Sequence, residues 1–316
     1  MTGGLVAHGG PAAADPAVRD WLAVAHGTGY LGLALFVGGL AFLALLWPDG
    51  GTDRRARAAL VGAWLTGLAG TVATAGLEGA YATRGSLRDA FTPGAYRAVL
   101  DTDPGVALAA RGLLWILAAV VLATVLQGGA AAARSPGWRV GAAAVALGLL
   151  RATGMYGHPA EGPDPTLGQI ADLLHLLGVS LWIGGLGLLL VAVLPRRRPE
   201  ELARVVPAYS RLAAGSVAVI ALAGLVLAWQ VVGTVDALLG TSYGRLLVAK
   251  VALVGAVLLA ALFSRRWVLR RLDTAVRLGG DAATVRPFVY SVAAETALVL
   301  AVLAATSVLV TSTPGR

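Results

Sequence analysis

Apolar residues fall into eight runs, at about 21–47, 56–82, 106–127, 138–157, 168–194, 211–233, 244–263 and 287–310. Short connections rich in Gly, Pro and Arg separate them. Each run approaches or exceeds the roughly 20 residues that a helix needs to cross a bilayer. The pattern predicts an all-α polytopic membrane protein with eight transmembrane helices. Residues 1–20 are Gly/Ala/Pro-rich and contain acids. They read as a short extracytoplasmic tail, not a cleavable signal peptide, because the first apolar run is too long for a signal core.

Composition agrees with the pattern. The chain is 57% hydrophobic and 13% charged, against about 25% charged in soluble domains. Cysteine is absent, which excludes disulfides and thiolate metal sites. The net charge of +8 reports topology before it reports a nucleic-acid partner, and membrane lipid is the expected surroundings. Sixteen of the 25 Lys/Arg fall on one side of the expected bundle, in or beside the connections 48–55, 128–137, 195–210 and 264–286. Those connections are therefore expected in the cytoplasm, with both termini outside the cytoplasmic membrane. The run Pro195-Arg-Arg-Arg198 suits anionic lipid.

The spans also read as two tandem four-helix repeats, 21–157 and 158–316. Span 1 holds His26 and then Gly38-Gly39-Leu40; span 5 holds His175 and then Gly184-Gly185-Leu186. The histidine-to-glycine spacing differs by three residues, so this alignment needs a gap. Arg111 and Lys250 each stand six residues after a glycine that opens their span. An even number of spans per repeat gives both repeats one orientation, with an axis along the membrane normal. The glycine pairs are expected to let helices approach closely. Trp21, Trp47 and Trp138 stand at span ends, as interface aromatics do.

Ionisable residues inside apolar spans are costly and suggest function. Asp172 and His175 share one face of span 5, three residues apart. All four histidines, His8, His26, His158 and His175, fall on the expected outer side. Glu78, Arg111, Arg151 and Lys250 crowd the same leaflet, Met155 precedes His158, and Glu295 lies deep in the last span. Imidazole, thioether and carboxylate without thiol suit a copper ion, as Cu(I) or Cu(II). The expected metal ligands are His26, His175, His158, Met155 and His8. Asp172, Glu78, Arg111, Lys250, Glu295 and Trp182 are expected around the site or along an ion path. His26 and His175 could alternatively hold one b-type haem in an electron-transfer protein. There is no phosphate-binding loop, GxSxG, HExxH or paired catalytic carboxylate, and the chain reads as a non-enzyme.

Asp172-x-x-His175 followed by Gly178-x-Ser-x-Trp182-Ile-Gly-Gly185 resembles the signature of the CopD family of copper-resistance inner-membrane proteins. Further matches follow in order: Gly157-His158-Pro159, Arg211-Leu, Gly224, Tyr243-Gly-Arg-Leu-Leu-Val-Ala-Lys250, Glu295 and Thr313-Pro314. The resemblance is strongest over 155–316. It implies an eight-span protein of the cytoplasmic membrane that moves copper, inward, with the periplasmic carrier CopC as donor. A subunit assisting copper delivery to another membrane complex is the blander alternative.

Overall fold

The computed structural model of the chain describes residues 15–154 and 163–232, and all regular structure among them is helical. Seven α-helices follow in order: α1 (Pro16–Leu45), α2 (Arg54–Ala82), α3 (Pro93–Leu100), α4 (Asp103–Arg134), α5 (Pro136–Gly154), α6 (Pro165–Leu188) and α7 (Pro199–Val232). The expected spans at 244–263 and 287–310 lie outside the described residues, as do the chain ends.

Helices begin where the sequence supplies caps. The side chains of Asp15, Asp53, Thr92, Thr102 and Asp164 each accept a hydrogen bond from a first-turn amide of α1, α2, α3, α4 and α6. Those amides have no partner within the helix. Proline occupies the first or second position of α1, α3, α4 and α6, where its missing N–H costs nothing. Helices α1, α2, α4 and α7, and α6 with its continuation to Arg196, are long and apolar enough to cross a membrane. At 19 residues, α5 is about 28 Å long. It carries Arg139 and Arg151 near its ends, yet packs Trp138, Val145 and Leu149 into the shared core.

Several boundaries differ from the apolar pattern. Helix α3 lies in the expected outer loop; its Ala95 and Val99 are buried, and Ala95 packs against Gly79 of α2. Helix α4 runs past the expected end at 127, because Gly129 takes a left-handed φ of 56° and the chain resumes its helix to Arg134. Helix α6 loosens into a π turn over Leu189–Val193 and a 3-10 turn over Leu194–Arg196. Helix α7 starts at Pro199, twelve residues before the apolar run at 211, so its first turns are polar and carry Glu200, Glu201 and Arg204.

Small residues set the helix spacing, as they do where lipid removes the hydrophobic drive for association. Gly32 of α1 packs on the backbone of Gly67 in α2, and Gly29 on Gly70. The crossing of α1 with α6 is reciprocal. A methyl group on Gly38 would lie 2.7 Å from Gly184 Cα, and one on Gly184 would lie 2.7 Å from Gly38 Cα. Each would also strike a backbone carbonyl one turn earlier on the other helix, Ser180 for Gly38 and Ala34 for Gly184. The two helices run parallel, since Gly39 meets Leu188 and Trp47 meets Arg196 farther along both, and Gly38 stands level with Gly184. Around it lies a core of Phe42, Leu43, Trp47, Trp115, Leu149, Leu188, Val193 and Tyr209.

At one end of the bundle a charge network ties the connections together. Arg196 donates to Asp53 at 2.6 Å and to Glu201 at 2.9 Å, and its guanidinium stacks 5.5 Å above the Trp47 ring. Trp47 Nε1 donates to Glu201, and Arg134 and Arg204 both donate to Asp49. Trp47 is thus fully buried in a polar network; it is not the lipid-facing interface aromatic its place in the sequence suggested. Asp53 carries two opposed influences. Burial pushes its carboxyl up, but the Ala56 amide, Arg196 and the Arg55 amide outweigh this and hold it below the usual carboxylate range.

Two predictions follow from the packing and the network. Gly184→Val should lower the thermal midpoint by an amount equivalent to about 1–3 kcal/mol, the usual cost of overpacking. Gly62→Ala, with nothing within 4 Å of the added methyl, should leave it unchanged or raise it slightly. Equal midpoints for the two variants would refute the crossing. The depressed Asp53 value makes its ionised form stabilising above the unfolded-state value near 3.9. That contribution is lost as pH falls through the lower folded-state value. Between about pH 5 and pH 3, Asp53→Asn should therefore lose less stability than wild type, read by thermal melts across that range.

Candidate functional site

The other end of the bundle carries the histidines. His26 lies twelve residues before Gly38, and His175 nine before Gly184. At 1.5 Å per residue they stand about 18 and 14 Å from the crossing, on the same side of it because the helices are parallel. His26 Nε2 lies 3.9 Å from Glu78 Oε1 on α2. That distance is an ion-pair approach, longer than a hydrogen bond. Both side chains are partly exposed.

Arg111 enters the same region from α4 and is buried. Glycine makes its position possible: a methyl on Gly29 would lie 2.8 Å from Arg111 Nη2. The guanidinium therefore presses on the α1 backbone one turn after His26. Its charge acts on both His26 and Tyr30, and that of Asp172 reaches Tyr30 as well. The Asp172 carboxylate rests against Gly154 at the end of α5, within the field of Arg151. Arg151 donates to Gln169 Oε1 at 2.8 Å. The result is a chain of charged and polar groups crossing five helices, from Glu78 through His26, Arg111 and Tyr30 to Asp172 and Arg151.

His175 faces a different neighbour. Its Nδ1 lies 3.4 Å from the Ile220 carbonyl of α7, and a methyl on Gly224 would lie 4.0 Å from the same nitrogen. Farther along α7, Gln230 clamps the start of α6 through both ends of its amide. It accepts from the Asp164 amide at 3.2 Å and donates to the Asp164 carbonyl at 2.9 Å. Trp182 lies deeper; its carbonyl accepts the Tyr209 hydroxyl at 2.7 Å.

The described residues thus bring His26, Glu78, Arg111 and Asp172 into one electrostatic neighbourhood, with His175 on the adjoining α6–α7 face. Among them, no group of three His or acidic side chains converges as a ready metal site. His8, Met155, His158, Lys250 and Glu295 lie outside the described residues. The sequence reading missed Tyr30 and Gln169. Tyr30 follows His26 by four, so it shares that helix face, and Gln169 precedes Asp172 by three. That periodicity was the available signal, but neither residue carries a formal charge to draw attention in an apolar span.

The comparisons with known proteins bear on this arrangement. Residues 203–309 match the CopD family model, described as copper resistance protein D. The described part of that segment is most of α7. Copper transport protein CutJ of Bacillus subtilis (strain 168) is 30% identical over 257 residues, which is 75% of this chain and 45% of that protein. Copper resistance protein D of Pseudomonas syringae pv. tomato is 32% identical over 165 residues, 50% of this chain and 53% of that protein. The chain spans about half the length of these curated relatives. No solved structure matches. With the family model and both relatives in agreement, and its helices apolar enough to cross a membrane, the chain belongs to the CopD family as a multi-pass membrane protein.

Proposed function

We propose that the protein captures copper at the histidine-bearing end of the bundle and passes it inward across the cytoplasmic membrane, between two halves, 21–157 and 158–316. The observation that carries this reading is the placement of two imidazoles on the same side of the Gly38–Gly184 crossing, one of them beside a carboxylate. Imidazole is a good copper ligand. A carboxylate near its ring orients it and tunes its basicity. The reciprocal crossing is the contact that two copies of one helix make about a twofold axis, which supports the two-half reading. The abundance of arginine at the opposite end supports a cytoplasmic position for that end and an outer one for the histidines. Copper is the cargo here. Two described imidazoles are too few for a closed cage, as befits a site that must release its ion. His158, Met155 and His8 are the further candidates for completing it, and a CopC-like carrier is the proposed donor.

Copper binding by the purified protein tests the site. His26→Ala and His175→Ala should each weaken binding. Glu78→Gln should weaken it about tenfold, the scale for removing a group that orients a ligand. If both histidine variants bind copper as wild type does, the site is wrong.

Transport is tested in cells. Copper accumulation should rise when the protein is expressed and return to background with His175→Ala. Unchanged accumulation on expression would refute inward transport. A visible spectrum separates the haem alternative, since a Soret band responding to reduction would replace the copper reading.

A further inference from the structure

We propose that the cluster joining Trp47, Asp49 and Asp53 to Arg196, Glu201 and Arg204 is a gate. It closes the path between the two halves on the arginine-rich side and must open for cargo to leave there. The proposal rests on the transport reading above and adds to it the place where the path is shut.

Three observations carry it. First, the cluster joins the halves. Asp53 and Asp49, from the α1–α2 connection, bind Arg196 and Arg204, from the α6–α7 region, and Trp47 at the end of α1 donates to Glu201. The ion pairs Arg196–Asp53 and Arg204–Asp49 both join the halves at this end. Near the histidines, a hydrogen bond from Arg151 to the neutral Gln169 joins α5 to α6. Second, the inner part of the cluster is sheltered. The side chains of Asp53 and Glu201 are 12% and 11% exposed, and Arg196 is 22% exposed. Pairs withdrawn from water hold firmly while complete, and removing one partner strands the other's charge. Third, the backbone beside the cluster is built to rearrange. Helix α6 passes from α to π to 3-10 geometry over Leu189–Arg196, and Arg197 takes a left-handed φ of 51°. Such breaks in regular geometry mark hinges and functional positions. The backbone contact at Gly38 and Gly184 stands between the gate and the histidines, where two helices can rock without a side-chain interlock.

The chain has no cysteine, so a single introduced thiol reports access. Leu188 is 3% exposed and packs against Gly39 of α1, one turn beyond the crossing toward the cluster. In sealed vesicles with the arginine-rich side outward, Leu188→Cys should react slowly with a membrane-impermeant maleimide. Adding Asp53→Asn should speed the reaction at least about tenfold, since loss of one sheltered partner exceeds the ~1.4 kcal/mol that tenfold represents. Adding Trp47→Phe instead, which removes the bond to Glu201 but keeps a ring beside Arg196, should speed it less. Labelling of both at the Leu188→Cys rate overturns the gate. If Asp53→Asn does not fold, Trp47→Phe decides alone.

The converse arm locks the gate. Asp49→Cys with Arg204→Cys, bridged by a short bis-maleimide, should move less copper than the same double variant left unbridged. Uptake at the unbridged rate after bridging overturns the gate. If the unbridged variant moves no copper, the labelling arm alone decides the gate; if the wild-type protein moves none either, the transport reading falls.

Discussion

The packing depends first on the absence of side chains at Gly38 and Gly184. Backbone meets backbone there, and any larger residue on either helix would strike both the facing glycine and a carbonyl one turn away. In lipid the hydrophobic effect does not draw helices together, so close approach and its dispersion contacts must do so. The crossing fixes how α1 and α6 pass each other. It thereby fixes which residues of α2 and α7 face them, since each of those packs on its own partner through glycine as well, Gly67 under Gly32 and Gly178 against Ser216 and Ile220.

From that constraint the two ends acquire opposite characters. One turn beyond the crossing toward the arginine-rich end, the interior is closed by Leu188, Phe42 and Tyr209 and then sealed by the ion-paired connections. Toward the histidines the helices carry ionisable groups that are only partly covered: Glu78, His26, Asp172 and His175 are each half-buried. Charges inside a membrane protein need partners or water. The cluster meets this need by alternating sign, with acids at Glu78 and Asp172 and cations at Arg111 and Arg151, and the rings of His26 and Tyr30 between them.

The sequence declared its helices well and its ends poorly. Apolar runs located α1, α2, α4, α5, α6 and the membrane part of α7, because a bilayer demands length and apolarity whatever the tertiary packing. Glycine pairs were legible as close approaches for the same reason. Helix α3 escaped because eight residues carry little periodic signal, although Thr92 and Pro93 announce its start. The polar first turns of α7 and the Gly129 break in α4 are outside the membrane pattern, so hydropathy is silent about them. At the site, charge in an apolar context pointed to His26, Glu78, Arg111 and Asp172. Tyr30 and Gln169 were hidden because polar but uncharged residues are common in such helices, and only the packing of α1, α4, α5 and α6 shows what they face. Trp47 was misread for a related reason: span-end tryptophans usually meet lipid headgroups, but Glu201 reaches this one from 154 residues away.

The register of the crossing also changes how the proposed halves correspond. With Gly38 set level with Gly184, the alignment of the two helices requires no gap. Carried back along both helices, it sets His26 opposite Asp172 and Gly29 opposite His175, instead of histidine opposite histidine. On the two-half reading, an acid and a base have therefore exchanged places between the repeats. The space that Gly29 leaves in one is filled by a guanidinium from α4; in the other, an imidazole occupies that position and turns to α7. A backbone contact that stays symmetric while its flanking chemistry does not leaves two unlike surfaces at this end of the bundle. An imidazole backed by a carboxylate lies on one side, and an imidazole facing a helix carbonyl on the other.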